Sequence, residues 1–84
     1  MMLAIYINND TKEPIVSVHT GHAPTKGEVV IIDTIAPPNP VKYYVMRTEH
    51  EIQIPEKPEL GELVKASVDT YKIYVLPWSH VNNG

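Results

Sequence analysis

Two histidines three residues apart, His19 and His22, stand just before the stretch Ala-Pro-Thr-Lys-Gly at residues 23–27. Neutral imidazoles at that spacing are half of a zinc site, which needs a third or fourth ligand to close. The chain has no cysteine, so those ligands would come from His50, His80 or a carboxylate. Residues three apart on a strand point to opposite faces. His19 and His22 can therefore share an ion only if the strand ends at Thr20 and Gly21 and the turn folds His22 back. The other reading is two solvent-facing loop histidines.

Glu49 and Glu51 offer a second chemistry. Two residues apart on a strand, their carboxyls share a face at about 7 Å, within the range acid–base pairs use. They also belong to a stripe of Arg47, Glu49, Glu51 and Gln53 of the kind a strand presents to water. Glu56, Glu59 and Glu62 extend the acidity. Such a stripe reads either as a docking face for a basic partner or as a charged edge that discourages sheet-to-sheet aggregation. His50 lies on the other face, between Thr48 and Ile52. It reads as a hydrogen-bonded rim residue or a pH-sensitive contact. Without phenylalanine the chain needs tyrosine for core volume, and adjacent Tyr43 and Tyr44 must point to opposite faces. Tyr43, Tyr74, Trp78, His50 and Arg47 form the candidate set for a ligand or partner, where Tyr, Trp and Arg contribute most. No phosphate loop, nucleophile triad or nucleotide fingerprint is present in the sequence, so no catalytic residue is assigned.

The elements that must position these groups are strands. Eight prolines fall at the edges of apolar runs, where a residue without a ladder donor does least harm. Between them Val, Ile, Tyr and Thr dominate, which suits pleated surfaces. Residues 3–7 alternate Leu3, Ile5 and Ile7 with Ala4 and Tyr6, and Asn and Asp then turn the chain. Residues 15–20 form a second strand with Val16 and Val18 as the inward pair. Pro24 and Gly27 mark the next turn, the glycine free to take positive φ. Residues 28–35, "EVVIIDTI", are apolar on both faces and read as a central strand buried on both sides. Residues 41–54 have no breaker and read as one long strand that changes environment midway.

Residues 59–64 allow at most one short helical turn, because Gly61 interrupts the Leu60, Leu63, Val64 spacing. The last strand, residues 65–76, changes parity from Val64, Ala66 and Val68 to Tyr71, Ile73 and Val75. That change predicts a β-bulge at Asp69 and Thr70. The fold class is all-β: a small antiparallel barrel or sandwich of five to six strands. It forms one domain over residues 1–84, frayed at 1–2 and 81–84.

The stretch "PTKGEVVII", followed after a loop by "YYVMR", resembles the P-x-x-G-E-x-V … Y-x-V pattern of SH3-like small barrels, including many in phage-encoded proteins. The resemblance implies a small barrel and carries no functional residue. At 84 residues and a net charge of −3, with seven Lys and Arg dispersed along the chain, nucleic acid is not the expected partner. No apolar run approaches the ~20 residues of a membrane-spanning helix, and the N-terminus lacks the features of a signal peptide; the expected location is the cytoplasm. The expectation is a non-catalytic binding or assembly module without cofactor. It would be a phage-type accessory or inhibitor protein that pairs with itself or another protein. The alternative is a small-ligand-binding protein with a Tyr- and His-lined pocket at a subunit interface; a metal-dependent enzyme comes third.

Overall fold

Five strands, β1 (Met2–Asn8), β2 (Pro14–Thr20), β3 (Val29–Ile32), β4 (Val41–Gln53) and β5 (Val68–Pro77), precede one helical turn, α1 (Trp78–Val81). They belong to a computed structural model that describes residues 2–33, 40–54, 57, 59–61 and 68–81. The strands form one sheet in the order β2-β1-β5-β4-β3, curled into a half-barrel. The all-β class expected from the sequence is present. One ladder is parallel, because β5 returns beside β1 with Leu3 opposite Thr70 and Asn8 opposite Val75; the other three are antiparallel.

Paired residues share a face, so the registers assign the sides of the sheet. The concave face carries Ala4, Tyr6, Val16, Val18, Val30, Tyr43, Val45, Thr48, His50, Tyr71, Ile73 and Val75. Ala4, Val45, Ile73 and Val75 are fully buried there, with Tyr6, Ile15, Val30, Tyr43 and Tyr71 packed around them. On β1 the inward face is therefore Ala4 and Tyr6, not the more apolar Leu3, Ile5 and Ile7. The small side chain of Ala4 suits the crowded inside of a curled sheet.

The bulge expected at Asp69 and Thr70 is absent, and β4 carries one instead. From Val68 to Pro77 the ladder of β5 is unbroken, with Ile52 opposite Asp69 and Glu51 opposite Thr70. Val45 faces Val75 and Arg47 faces Tyr74, so Met46 is the extra, bulged residue. The bulge lets Val41, Tyr43 and Val45 share the inner face with Thr48, His50 and Ile52. Arg47, Glu49, Glu51 and Gln53 then form an exposed outer stripe, as their alternation predicts. Val64 and Ala66 lie outside the described residues.

β3 is the second correction. It is a four-residue edge strand rather than a central one: Val29 is 44% and Ile31 64% exposed. Val16 and Val18 do face inward on β2, as expected. The β1–β2 hairpin is held by Asn8, whose Oδ1 accepts from the N–H groups of Asp10 (2.9 Å) and Thr11 (3.2 Å). Lys12, not Asn or Asp, takes its left-handed residue (φ 64°).

Residues 25–28 close a turn in which Glu28 N donates to Thr25 O at 3.1 Å and Gly27 adopts φ 98°. Gly27 N then donates to Val45 O (3.0 Å) and Val45 N to Glu28 O (2.9 Å). Two residues thus oppose one, a bulge that begins with a left-handed glycine. The short helix, α1, follows Pro77. In the 59–64 region Leu60 and Gly61 form a turn, and residues 62–64 lie outside the described set. Among the described residues no helix is long and apolar enough to cross a membrane.

Candidate functional site

The sheet does not close. No Cα of β2 comes within 8 Å of one in β3, so among the described residues the half-barrel has a seam between its two edge strands. In that seam lies a groove of about 290 Å³ lined by Tyr6, Val16, Val18, Val30, Ile31, Ile32 and Asp33. β2 contributes its inward Val16 and Val18, β3 its inward Val30 and Ile32 together with the edge residue Ile31, and β1 contributes Tyr6. Burial, then the nearby negative charge of Glu28, raises the Tyr6 phenol above its ordinary value and keeps it a neutral hydroxyl. None of these residues was in the candidate set from the sequence. The inward Val16–Val18 pair was the available signal; that it faces Val30 and Ile32 across a gap depends on the curl.

Glu28 anchors the loop beside the groove. Its Oε2 accepts from the backbone N–H and the hydroxyl of Thr25, and its Oε1 lies 3.5 Å from His22 Nε2. The backbone hydrogen bond from Thr25 is the main reason its carboxyl titrates below the ordinary carboxylate range; His22 adds to it. A carboxyl whose folded pKa is depressed stabilises the fold above its unfolded pKa and loses that contribution as pH falls through the folded value. The melting temperature of Glu28→Gln should therefore lie below wild type at neutral pH, and the gap should narrow in acid below the usual carboxylate pKa. Melting curves from pH 7 to pH 3 check this, and a gap constant across that range contradicts it.

The histidine pair separates. β2 ends at Thr20, where the Thr20 hydroxyl bonds both the N–H and the C=O of His22 at 3.2 Å. The condition for folding His22 back is met, yet the turn carries it to Glu28. His19 stands on β2 opposite Leu3, on the outer face. His80 lies 3.9 Å from Asp10, at the β1–β2 hairpin. Among the described residues no group of three or more His, Cys, Asp or Glu could hold a metal ion.

The five residues proposed for ligand or partner binding divide among four places. Tyr43 is inward, half-buried and packed on the core. Arg47 and Tyr74 meet on the outer face, the guanidinium carbon 4.1 Å from the ring centre, with Lys12 Nζ at 5.4 Å from the same ring. Arg47 Nε also lies 3.3 Å from Glu49. Trp78, at the start of α1, tilts against Tyr44 with ring centres 6.3 Å apart and carries Lys42 Nζ 5.5 Å from its ring. His50 stacks on Tyr71 at 4.3 Å and 2° and places Nε2 at 3.2 Å from Asp69. Glu51 pairs with Lys72 at 3.5 Å rather than with Glu49. Exposed cation–aromatic contacts of this kind contribute about 0.5–1 kcal/mol each. They tie neighbouring strands together without converging on one reacting centre.

What the arrangement can do chemically is therefore to take up apolar surface. The seam offers aliphatic walls, one neutral hydroxyl and the carboxylate of Asp33 at its margin. No family model, no curated protein and no solved structure matches the chain, so the reading of function rests on this geometry.

Proposed function

We propose that the chain is a non-catalytic binding or assembly module that acts as a homo-oligomer and uses no cofactor. The observation that carries this reading is the unfinished enclosure. Among the described residues the half-barrel leaves both edge strands without a second ladder around an apolar seam. Among the described residues only Ala4, Val45, Ile73 and Val75 are fully enclosed hydrophobic residues of the core. An accessory or inhibitor role of the phage-encoded type, in the cytoplasm, suits a short chain that works by covering another surface. The SH3-like resemblance belongs to the same proposal.

A second reading, a small-ligand pocket, is favoured by the groove itself. Its 290 Å³ lies at the bottom of the ~300–1,000 Å³ usual for such sites, so one or two side chains fit it better than a cofactor-sized ligand. Native mass spectrometry of the purified protein separates the two. An oligomer without added mass is the expected result. A monomer, confirmed by sedimentation at high micromolar concentration, overturns the assembly reading; a monomer carrying a small molecule replaces it with the second.

A further inference from the structure

We propose that the second copy docks through β3, the two β3 strands pairing antiparallel about a two-fold axis so that the sheets of both copies become continuous. The proposal deepens the assembly reading and rests on it. It starts from a contradiction between sequence and fold. The residues of β3, Val29-Val30-Ile31-Ile32, have the composition of a strand buried on both faces, yet among the described residues they stand at an edge. Proteins protect open edges with charge, proline, bulges or brevity. β2, the other edge, begins at Pro14, has a register shift beside Tyr6 and Ile7, and carries Ser17 and His19. β3 has brevity alone: within the strand there is no charge, no proline and no polar side chain. A local rule broken this plainly is expected where another surface completes the structure.

The hydrogen-bond phase makes the edge usable. Val45 exchanges its main-chain bonds with Gly27 and Glu28. Alternation then assigns the bonded pairs to Val30–Tyr43 and Ile32–Val41, leaving the N–H and C=O groups of Val29 and Ile31 aimed away from β4. A two-fold axis through Val30 sets Val29 opposite Ile31 of the second copy and Ile31 opposite its Val29. Each pair then exchanges both main-chain bonds. Their exposed side chains become cross-strand neighbours on the outer face, and Val30 and Ile32 of the second copy extend the apolar wall of the seam.

Charge selects the same register. Glu28 and Asp33 flank β3, and like charges directly opposite are destabilising. With Val30 on the axis, Glu28 faces Ile32 of the second copy and Asp33 faces its Gly27. A one-residue slip would set Glu28 against Asp33 and turn each face over.

The chain has no cysteine, so a single introduced thiol reports on one place. Ile31→Cys, treated with a short bismaleimide, should yield a covalent dimer on a denaturing gel, whereas Ser17→Cys on the β2 edge should not. Ile31→Lys should shift wild-type dimer to monomer in native mass spectra while the β-sheet circular dichroism is retained, since the side chain is 64% exposed in the single chain. An Ile31→Lys protein that remains dimeric overturns the proposal. So does an assembling protein that cross-links through Ser17→Cys and not through Ile31→Cys; in that case the assembly reading survives and only the surface is wrong. A wild type that stays monomeric overturns both. A monomer that retains a bound peptide places another occupant on the edge and likewise overturns self-pairing.

Discussion

Deleting Met46 should leave a cooperatively folding protein, whereas deleting Thr48, two residues along the same strand, should abolish cooperative melting. Met46 is the extra residue of the β4 bulge, with Val45 opposite Val75 and Arg47 opposite Tyr74. Remove it and Val45, Arg47 and Thr48 still alternate in, out, in. Every inward and outward assignment survives, and the cost is the curvature and the partial burial of one side chain, about 1–2 kcal/mol. Removing Thr48 leaves two bad choices. If the bulge stays, Glu49 and Glu51 turn inward and His50 turns out. If the bulge is absorbed, Met46 takes the outward position and Arg47 is driven inward against Ile73, which is fully buried. An unpaired buried charge costs several kcal/mol, against a total of roughly 4–13 kcal/mol expected for a chain of this length. Thermal melts followed by circular dichroism decide it. A Thr48 deletion that melts cooperatively within a few degrees of wild type, beside a Met46 deletion that does not fold, would place the bulge elsewhere.

Ile73→Ala should lower stability by about 2–5 kcal/mol. Ile73 sits on β5, the strand bonded to both β1 and β4, with Tyr6 on one side and Thr48 on the other. Its exposure is 0%, and it belongs with Val45 and Val75 to the largest fully buried side chains. The inside of a curled sheet cannot collapse onto the void without flattening, so the cavity is retained and the cost falls in the upper half of the range. At about 4–8 °C per kcal/mol for a domain of this size, the melting temperature should drop by more than 10 °C. Leu60→Ala is the matched control: the same class of truncation at a residue 107% exposed should leave the melt within about 0.5 kcal/mol of wild type. Equal effects at the two positions would show that Ile73 is not the centre of the core.

The strands were legible because their signals are local. Prolines at the run boundaries, β-branched residues between them, the Asn8 turn and the left-handed Gly27 each act over a few residues of chain, and each sits where the sequence puts it. The wet stripe of Arg47, Glu49, Glu51 and Gln53 was legible for the same reason: period-2 alternation needs no partner to be read. The bulge expected at Asp69 and Thr70 is absent, and Val68 and Tyr71 lie on opposite faces of an unbroken strand. The bulge that does exist, at Met46, was not legible: residues 41–54 read only as a strand that changes environment, and which residue is extra depends on the ladder against β5.

Pairing partners lie further from the sequence still. That β5 runs parallel to β1, that β3 ends at an edge and that β2 and β3 leave a seam between them all follow from the order in which strands meet. Nothing in residues 29–32 carries that order. Composition and alternation determined that this chain is all-β and that Val16 and Val18 turn inward, and they read residues 28–35 as a strand covered on both faces. Only the tertiary structure decided which of those faces are covered among the described residues, because burial is a property of neighbours and the order of the five strands gives β3 a single neighbour.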